Sequence, residues 1–233
     1  MPHKPIAVVV AMRRELAPLL RGRAGQRVDG VEVIELENAV VAAGGIGRVA
    51  AWGAAKAVVA RYGPTMLISA GIVGALSATL RVGDVVRGGG VVDADSGARF
   101  AASGGDSLIV TVSSVSGPAE KRSLADRYKA DVVDMESSVV AAVAREHGID
   151  FRAVKAVSDE LDFEMPVGRF VNADGSFATA RFATYVAMRP KWWFQVRQLA
   201  VNSKVASLNL SHEVEHLMEV MENTKQMENV PRA

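Results

Sequence analysis

The sequence predicts an α/β fold: a single domain with a central mixed, mostly parallel twisted sheet flanked by helices. Three observations predict it. Short runs rich in Val, Ile and Ala recur along the chain, most of them are continuously apolar rather than alternating, and Ala-rich stretches with helical period separate several of them. The strand candidates are, in order, "IAVVVAM" (6–12), "VEVIEL" (31–36), "AVVAAG" (39–44), "TMLISAG" (65–71), "GDVVRGGGVVDA" (83–94), "SLIVTVSS" (107–114), "DVVDM" (131–135) and "FRAVKAVS" (151–158). Helices are expected over "RVAAWGAAKAVVARYG" (48–63) and "ESSVVAAVAREHG" (136–148), the second closed by Gly148 in the C-cap position. No internal repeat or linker breaks the pattern, so residues 1–222 are expected to form one domain, with 223–233 a polar, frayed tail.

A chain of 233 residues is long enough to bury a full core. With 27 Lys+Arg against 26 Asp+Glu, the formal net charge of +1 offers no attraction to a nucleic-acid backbone. A small-molecule substrate or a protein partner is expected instead. The absence of cysteine excludes disulfides, zinc–thiolate sites and thiol nucleophiles. The apolar run near the start, about seven residues, lacks a signal-peptide cleavage site and is far shorter than the roughly 20 residues that span a bilayer, so a cytoplasmic protein is expected.

In sheets of this class, ligands gather beyond the carboxyl ends of the strands. Four such ends carry chemistry: "AMRREL" with Arg13, Arg14 and Glu15; "SAGIVGAL" with Ser69, Gly71 and Gly74; "DMESS" with Glu136; and "VSDELD" with Asp159. Taken singly, each has an ordinary reading. Glu15 and Glu136 suit the first turn of a helix, where the dipole favours a carboxylate, and Asp159 suits an N-cap. Taken together, three carboxylates after three strands can converge on one pocket. The glycines of "AAGGIGRVAAWG" suit a tight strand-to-helix turn; the segment lacks the Gly-Lys-Ser/Thr ending of a P-loop. Ser69, Gly71 and Gly74 are expected after their strand, where missing side chains would let a ligand approach the backbone. "HEVEH" (212–216) matches the HExxH zinc pattern. It sits in the last helix with only His3 and His147 as further histidines, and it reads as a charged face opposite Val214, Leu217, Met218 and Met221, so no metal is expected. Arg13 is expected to be solvated.

As an ordered set, the "AM…E" motif, "GGIGRVAA", "SAGIVGALSATLRVGDVV", "DMESS" and "VSDELD" resemble the nucleoside phosphorylase and nucleosidase superfamily, most closely its 5'-methylthioadenosine/S-adenosylhomocysteine nucleosidase branch, over residues 5–162. The resemblance implies N-glycosidic cleavage of an adenosine derivative. It casts Asp159 as the acid that protonates the purine N7 and Glu15 as the base that activates water. It also casts Glu136 as acceptor of the ribose hydroxyls, with Met135 packed on the sugar. Ser69 and Gly71 would line the substrate or phosphate site, and Ser158 and Lys155 would orient Asp159. Lys155 replaces the family's arginine and lacks its rigid fork. The stretch before "DMES" is shorter than in that family, and "GPAEKRSLADRY" offers no obvious substitute for the aromatic that the family stacks on the purine. Assembly as a homodimer or larger is implied, and no cofactor, because proton transfer and water activation suffice.

The shortening and the run "RFVNADGSFATARFATYVAMRPKWWFQVRQLAVNSKVAS" resemble the hopanoid-associated subgroup, thought to remove adenine from adenosylhopane. Trp192, Trp193 and Phe194 among Arg189, Lys191 and Arg197 suit either a lipid interface or a buried contact. Adenosylhopane is thus the favoured substrate, with methylthioadenosine or S-adenosylhomocysteine the alternative. Arg14, placed about where the phosphorylases hold phosphate, keeps phosphorolysis open. A non-catalytic nucleoside- or lipid-binding module is the reading from another class.

Overall fold

The computed structural model describes residues 4–164, 167–172 and 175–228. Strand β1 (Ile6–Val10) is buried at every position. It runs parallel to β4 (Ala39–Ala43) on one side and β5 (Met66–Ala75) on the other. Beyond β4 lie β3 (Val31–Glu35) and β2 (Gln26–Val28), an antiparallel hairpin. Its two-residue turn places Asp29 (φ 49°) and Gly30 (φ 83°) in the left-handed region, the geometry for which Asp-Gly is suited.

The other half of the sheet closes on itself. One edge of β5 pairs first with β1 (Ile6 with Met66 through Val9 with Ser69), then with β9 (Val132–Asp134) at Gly74 and Ala75. Its other edge pairs with β10 (Asp150–Asp159). From β10 the path continues through β6 (Val85–Asp93) and β8 (Ser107–Thr111) to β9 and so back to β5, with β7 (Arg99–Ala101) attached to β6. The sheet is mixed, with β1, β4, β5 and β10 forming a parallel centre.

Both faces are covered, as continuous apolar runs require. Ala7 and Val9 enter one core with α1 (Arg48–Tyr62) and α3 (Ser137–Glu146), whereas Ile6, Val8 and Val10 enter a second. That second core is completed by α5 (Trp193–Glu228), through Ala206, Leu210, Val214 and Leu217 at helical spacing. Met218 and Met221 pack against it, while His212 and His216 are exposed and Glu213 pairs with Arg87 at 2.6 Å. Helix α2 (Pro118–Tyr128), with proline in its first turn, contributes Leu124 to a third cluster beside Val110, Val112 and Val133. Helix α4 (Thr179–Ala187) precedes a helical turn, Pro190–Trp192, and α5. Helix α5 continues to Glu228, into the segment expected to be a frayed tail; the expectation for 229–233 lies outside the described residues.

The structure corrects where β5 ends. Ser69, Gly71 and Gly74 lie inside this ten-residue strand, not in a loop after it. A β5 that must serve two successive partners on one edge needs that length. Among the described residues, no helix is long and apolar enough to cross a membrane.

Candidate active site

Where β1 ends, Arg13–Leu16 forms one turn of 3-10 helix that turns Glu15 inward. Glu15 is only 4% exposed. Its Oε2 accepts hydrogen bonds from the amides of Ala11 (3.2 Å) and Met12 (3.4 Å); Oε1 accepts none from the described residues. Burial, reinforced by the nearby Glu136 carboxylate, pushes the Glu15 carboxyl up to about 8, against the pull of those two amides and of Lys155. Gly71 lies directly beneath: a Cβ there would stand 3.6 Å from Glu15 Oε2 and 3.7 Å from Lys155 Nζ.

Glu136 caps the start of α3, after β9. Its Oε1 accepts the Gly47 amide at 2.7 Å and its Oε2 the Met135 amide at 3.2 Å. The tight turn from β4 into α1, with Gly45 and Gly47 at positive φ, thus aims a backbone donor at this carboxylate. Burial, together with the Asp134 charge, raises Glu136 to about 7. Underneath, Lys155 on β10 is 1% exposed and lies 2.9 Å from both Asp134 Oδ2 and Ser69 Oγ. Asp134 also takes the hydroxyls of Thr111 and Ser137, and although burial alone would raise it, Lys155 and these donors hold its carboxyl below the usual range. A paired, hydrogen-bonded ion is the form in which a charge tolerates such burial.

At the end of β10, Asp159 keeps its side chain 24% exposed. Ser158 donates its hydroxyl to Asp159 Oδ1 at 2.7 Å. Arg14, Glu15, Met135, Glu136, Ser158 and Asp159 all border one cavity of about 960 Å³. A model of the phosphorylase superfamily matches residues 5–107 and 105–187, most of the chain. The chain belongs to the phosphorylase superfamily.

Solved structures of superfamily architecture superpose along nearly the whole chain. A 5'-methylthioadenosine/S-adenosylhomocysteine nucleosidase from Neisseria meningitidis, in complex with methylthio-immucillin-A, is 21% identical, with a TM-score of 0.69 over 90% of this chain and 96% of that one. The Helicobacter pylori nucleosidase of the same description, with butyl-thio-DADMe-Immucillin-A, is 18% identical, with a TM-score of 0.67 over 92% and 99%. A futalosine hydrolase mutant, also from H. pylori, is 17% identical, with a TM-score of 0.67 over 91% and 99%. These likenesses establish the fold. No curated protein matches the sequence.

Within this superfamily chain, three expectations change. Lys155 does not reach Asp159; it is committed to Asp134 and Ser69, because a bulge between Val157 and Asp159 separates the two positions on β10. Ser69 and Gly71 do not border the cavity: Ser69, 1% exposed, holds Lys155 and lies 3.1 Å from Ser137, and Gly71 makes room for Glu15 and Lys155. Arg13 is not simply solvated; it pairs with Glu32 at 2.7 Å and donates to the carbonyl of Arg23, fastening the turn to β3. Arg14 is exposed at the cavity, its guanidinium carbon 6.0 Å above the Phe177 ring. Among the described residues it has no ion-pair partner.

Sequence reasoning missed two contributions. Lys121, on α2 and 1% exposed, forms an ion pair with Asp159 and donates to the Glu160 carbonyl at 2.8 Å. The aromatic rings of the cavity, Phe177 and Phe182, come from the region around α4, beyond Asp159 rather than before Glu136. Phe177 and Phe182 meet edge to face at 5.4 Å, and both contact Phe170. The aromatic spacing in "RFVNADGSFATARF" was the available signal for this cluster. Nothing local in "GPAEKRSLADRY" distinguishes Lys121 from a solvated lysine.

Proposed function

We propose that the protein hydrolyses the N-glycosidic bond of a 5'-substituted adenosine and releases adenine, with the lipid-linked adenosylhopane as substrate. The observation that carries this reading is the convergence of Glu15, Glu136 and Asp159 on one cavity. Cleavage leaves positive charge on the ribose and negative charge on the base, so it requires a base for water on one side and an acid at the purine on the other. Glu15 has a raised proton affinity suited to a base working near neutrality, Glu136 offers two oxygens to the ribose hydroxyls, and Asp159 faces the leaving group. Met135 packs on the sugar.

Water is the nucleophile in this reading. The ammonium beneath Glu15 and Glu136, Lys155, is already committed to Asp134 and Ser69, so it is not free to hold a phosphate dianion. Arg14 supports the second reading, phosphorolysis, because its guanidinium borders the same cavity with no ion-pair partner among the described residues.

The size and lining of the cavity favour a large apolar 5' group. Its volume of about 960 Å³ lies near the upper end of the roughly 300–1,000 Å³ usual for small-molecule sites. Pro18, Phe182, Val196, Leu199 and Leu208 supply an apolar end. Close in sequence to that wall, Met188 (73% exposed), Trp193 (56%) and Phe194 (72%) stand on the surface with Arg189, Lys191 and Arg197; Trp192 is half-buried. We assign this patch to an anionic membrane surface from which the substrate is taken. Self-association as a dimer or larger is assigned to the exposed Val49 and Trp52 of α1.

The test is adenine release from adenosylhopane in anionic vesicles, from methylthioadenosine and from S-adenosylhomocysteine, each with and without phosphate. Phosphate-independent release is expected, fastest from the lipid nucleoside. Comparable rates on methylthioadenosine overturn the hopanoid assignment, and dependence on phosphate overturns hydrolysis. Replacing Trp193 and Phe194 together by Ser is expected to slow turnover of the vesicle-borne substrate about 10-fold, at roughly 1.4 kcal/mol of lost interfacial binding, without slowing soluble methylthioadenosine. An equal effect on both substrates removes the membrane role.

A further inference from the structure

Lys121 is a buried cation with no part in the reaction as described so far. Its ammonium touches the Asp159 carboxylate, the Glu160 carbonyl at 2.8 Å and the Asp159 carbonyl at 3.5 Å. It sits in the first turn of α2, just after Pro118, and borders the cavity alongside Asp159. The floor beneath the pair is shaped for it: a Cβ on Gly74 would lie 2.8 Å from Lys121 Cε and 3.0 Å from Asp159 Oδ2. A glycine at this point in β5 therefore leaves the space that the pair occupies. The second oxygen of Asp159 is held by Ser158, so the carboxylate is fixed at both ends.

An ion-paired carboxylate differs from the lone carboxylic acid usually required to protonate a leaving group. Lys121 donates an N–H to Asp159 Oδ2, so a proton that the carboxyl gives to a leaving group can be replaced directly from the ammonium. We propose that Lys121 is the positioning residue of leaving-group departure, acting through Asp159 to supply the proton that the purine takes up. As the C1'–N9 bond breaks, its electron pair passes to the purine ring. The Lys121 ammonium passes a proton to the Asp159 carboxylate, which passes it to N7, leaving carboxylate, neutral amine and a purine protonated at N7. Water attacks C1', Glu15 takes the water's proton, and solvent returns a proton to Lys121 and removes one from Glu15. The products are neutral adenine and the free sugar.

This inference rests on the proposed glycosidic hydrolysis, and the experiment separates the two. Lys121→Gln and the unmutated protein are assayed on a 5'-alkylthio adenosine and on a p-nitrophenyl riboside with the same 5' group, whose leaving group departs without protonation. Loss of a positioned acid costs about 10²–10⁴-fold. A loss of that size is expected on the adenosine, with the p-nitrophenyl rate within about threefold of the unmutated protein, which also reports that the variant is folded. Lys121→Arg keeps the charge but holds its proton too tightly to pass it on, so it is expected to remain slow on the adenosine. Equal losses on both substrates give Lys121 a merely structural role, and full adenosine activity of Lys121→Arg shows that charge alone suffices; either overturns the proposal. If the unmutated protein cleaves neither substrate, the hydrolase reading itself fails.

Discussion

Glu15→Gln is expected to lower adenine release by about 10²–10⁴-fold while making the protein more stable at alkaline pH. The two effects share one cause. Glu15 is buried among carboxyls, and its affinity for a proton is raised from the usual 4.5 to about 8. Below pH 4.5 the carboxyl is protonated whether the chain is folded or not, so it adds no penalty. As pH rises from there to about 8, the unfolded chain ionises freely while the folded one resists, and stability is lost; above about 8 the full penalty is present. Gln has the shape of the protonated acid and carries no such penalty. The difference has an upper bound of about 5 kcal/mol, which corresponds to a Tm higher by at most about 10–20 °C at pH 9 and little change at pH 4. Thermal denaturation across that range checks it, and a Tm gain independent of pH would exclude the buried-charge explanation.

The same geometry sets the pH dependence of the unmutated protein. A base must be ionised to accept a proton, so kcat/KM should fall as pH drops below about 8. Because Glu15 and Glu136 interact, the acidic limb belongs to the pair rather than to either residue.

Asp159→Asn is expected to lower adenine release by a similar factor, about 10²–10⁴-fold, with the opposite effect on stability. An amide has no carboxylate through which a proton can pass to N7. It also strands the Lys121 ammonium, which is 1% exposed and loses its only ion-pair partner among the described residues, at a cost of about 1–3 kcal/mol. Combining Asp159→Asn with Lys121→Gln should restore most of the stability and none of the activity. Urea denaturation and single-turnover adenine release measure the two quantities separately. Equal adenine release by Asp159→Asn and the unmutated protein would remove Asp159 from the chemistry and favour a binding module.

Opposite signs at two carboxyls of one cavity follow from their neighbours. Glu15 is buried beside the Glu136 carboxyl, with Lys155 committed elsewhere, so removing its charge relieves first a desolvation penalty and then repulsion. Asp159 lies against a dedicated cation, so removing its charge creates an imbalance.

Much of the fold was legible because burial on both faces leaves a local signature. The runs at β1, β4 and β5 are apolar at successive positions, and their alternate side chains enter opposite cores. Glu15, Glu136 and Asp159 were legible as candidates for a related reason: a charge directly after a buried strand stands where the sheet opens to ligands. The partners of those charges were not. Lys155 and Asp159 lie four positions apart on one strand, yet the bulge before Asp159 and the course of α2 give Asp159 to Lys121 instead. The extent of β5 was hidden as well, since "SAGIVGA" carries glycines that suit a turn. Those glycines are in the strand because Gly71 and Gly74 lie under side chains arriving from other elements.

By itself, then, the sequence determined the class of the fold and the candidate carboxylates at the ends of β1, β9 and β10, because each depends on hydrophobic pattern and residue type over a few neighbouring positions. Only the tertiary structure decided which cation meets which carboxylate, which glycines make room for them, and which aromatics line the cavity. Those contacts join residues tens of positions apart, such as Lys121 with Asp159 and Gly47 with Glu136. Distance and burial between such residues are set by closure of the sheet through β5, β10, β6, β8 and β9, a property of the packed chain that no local window contains.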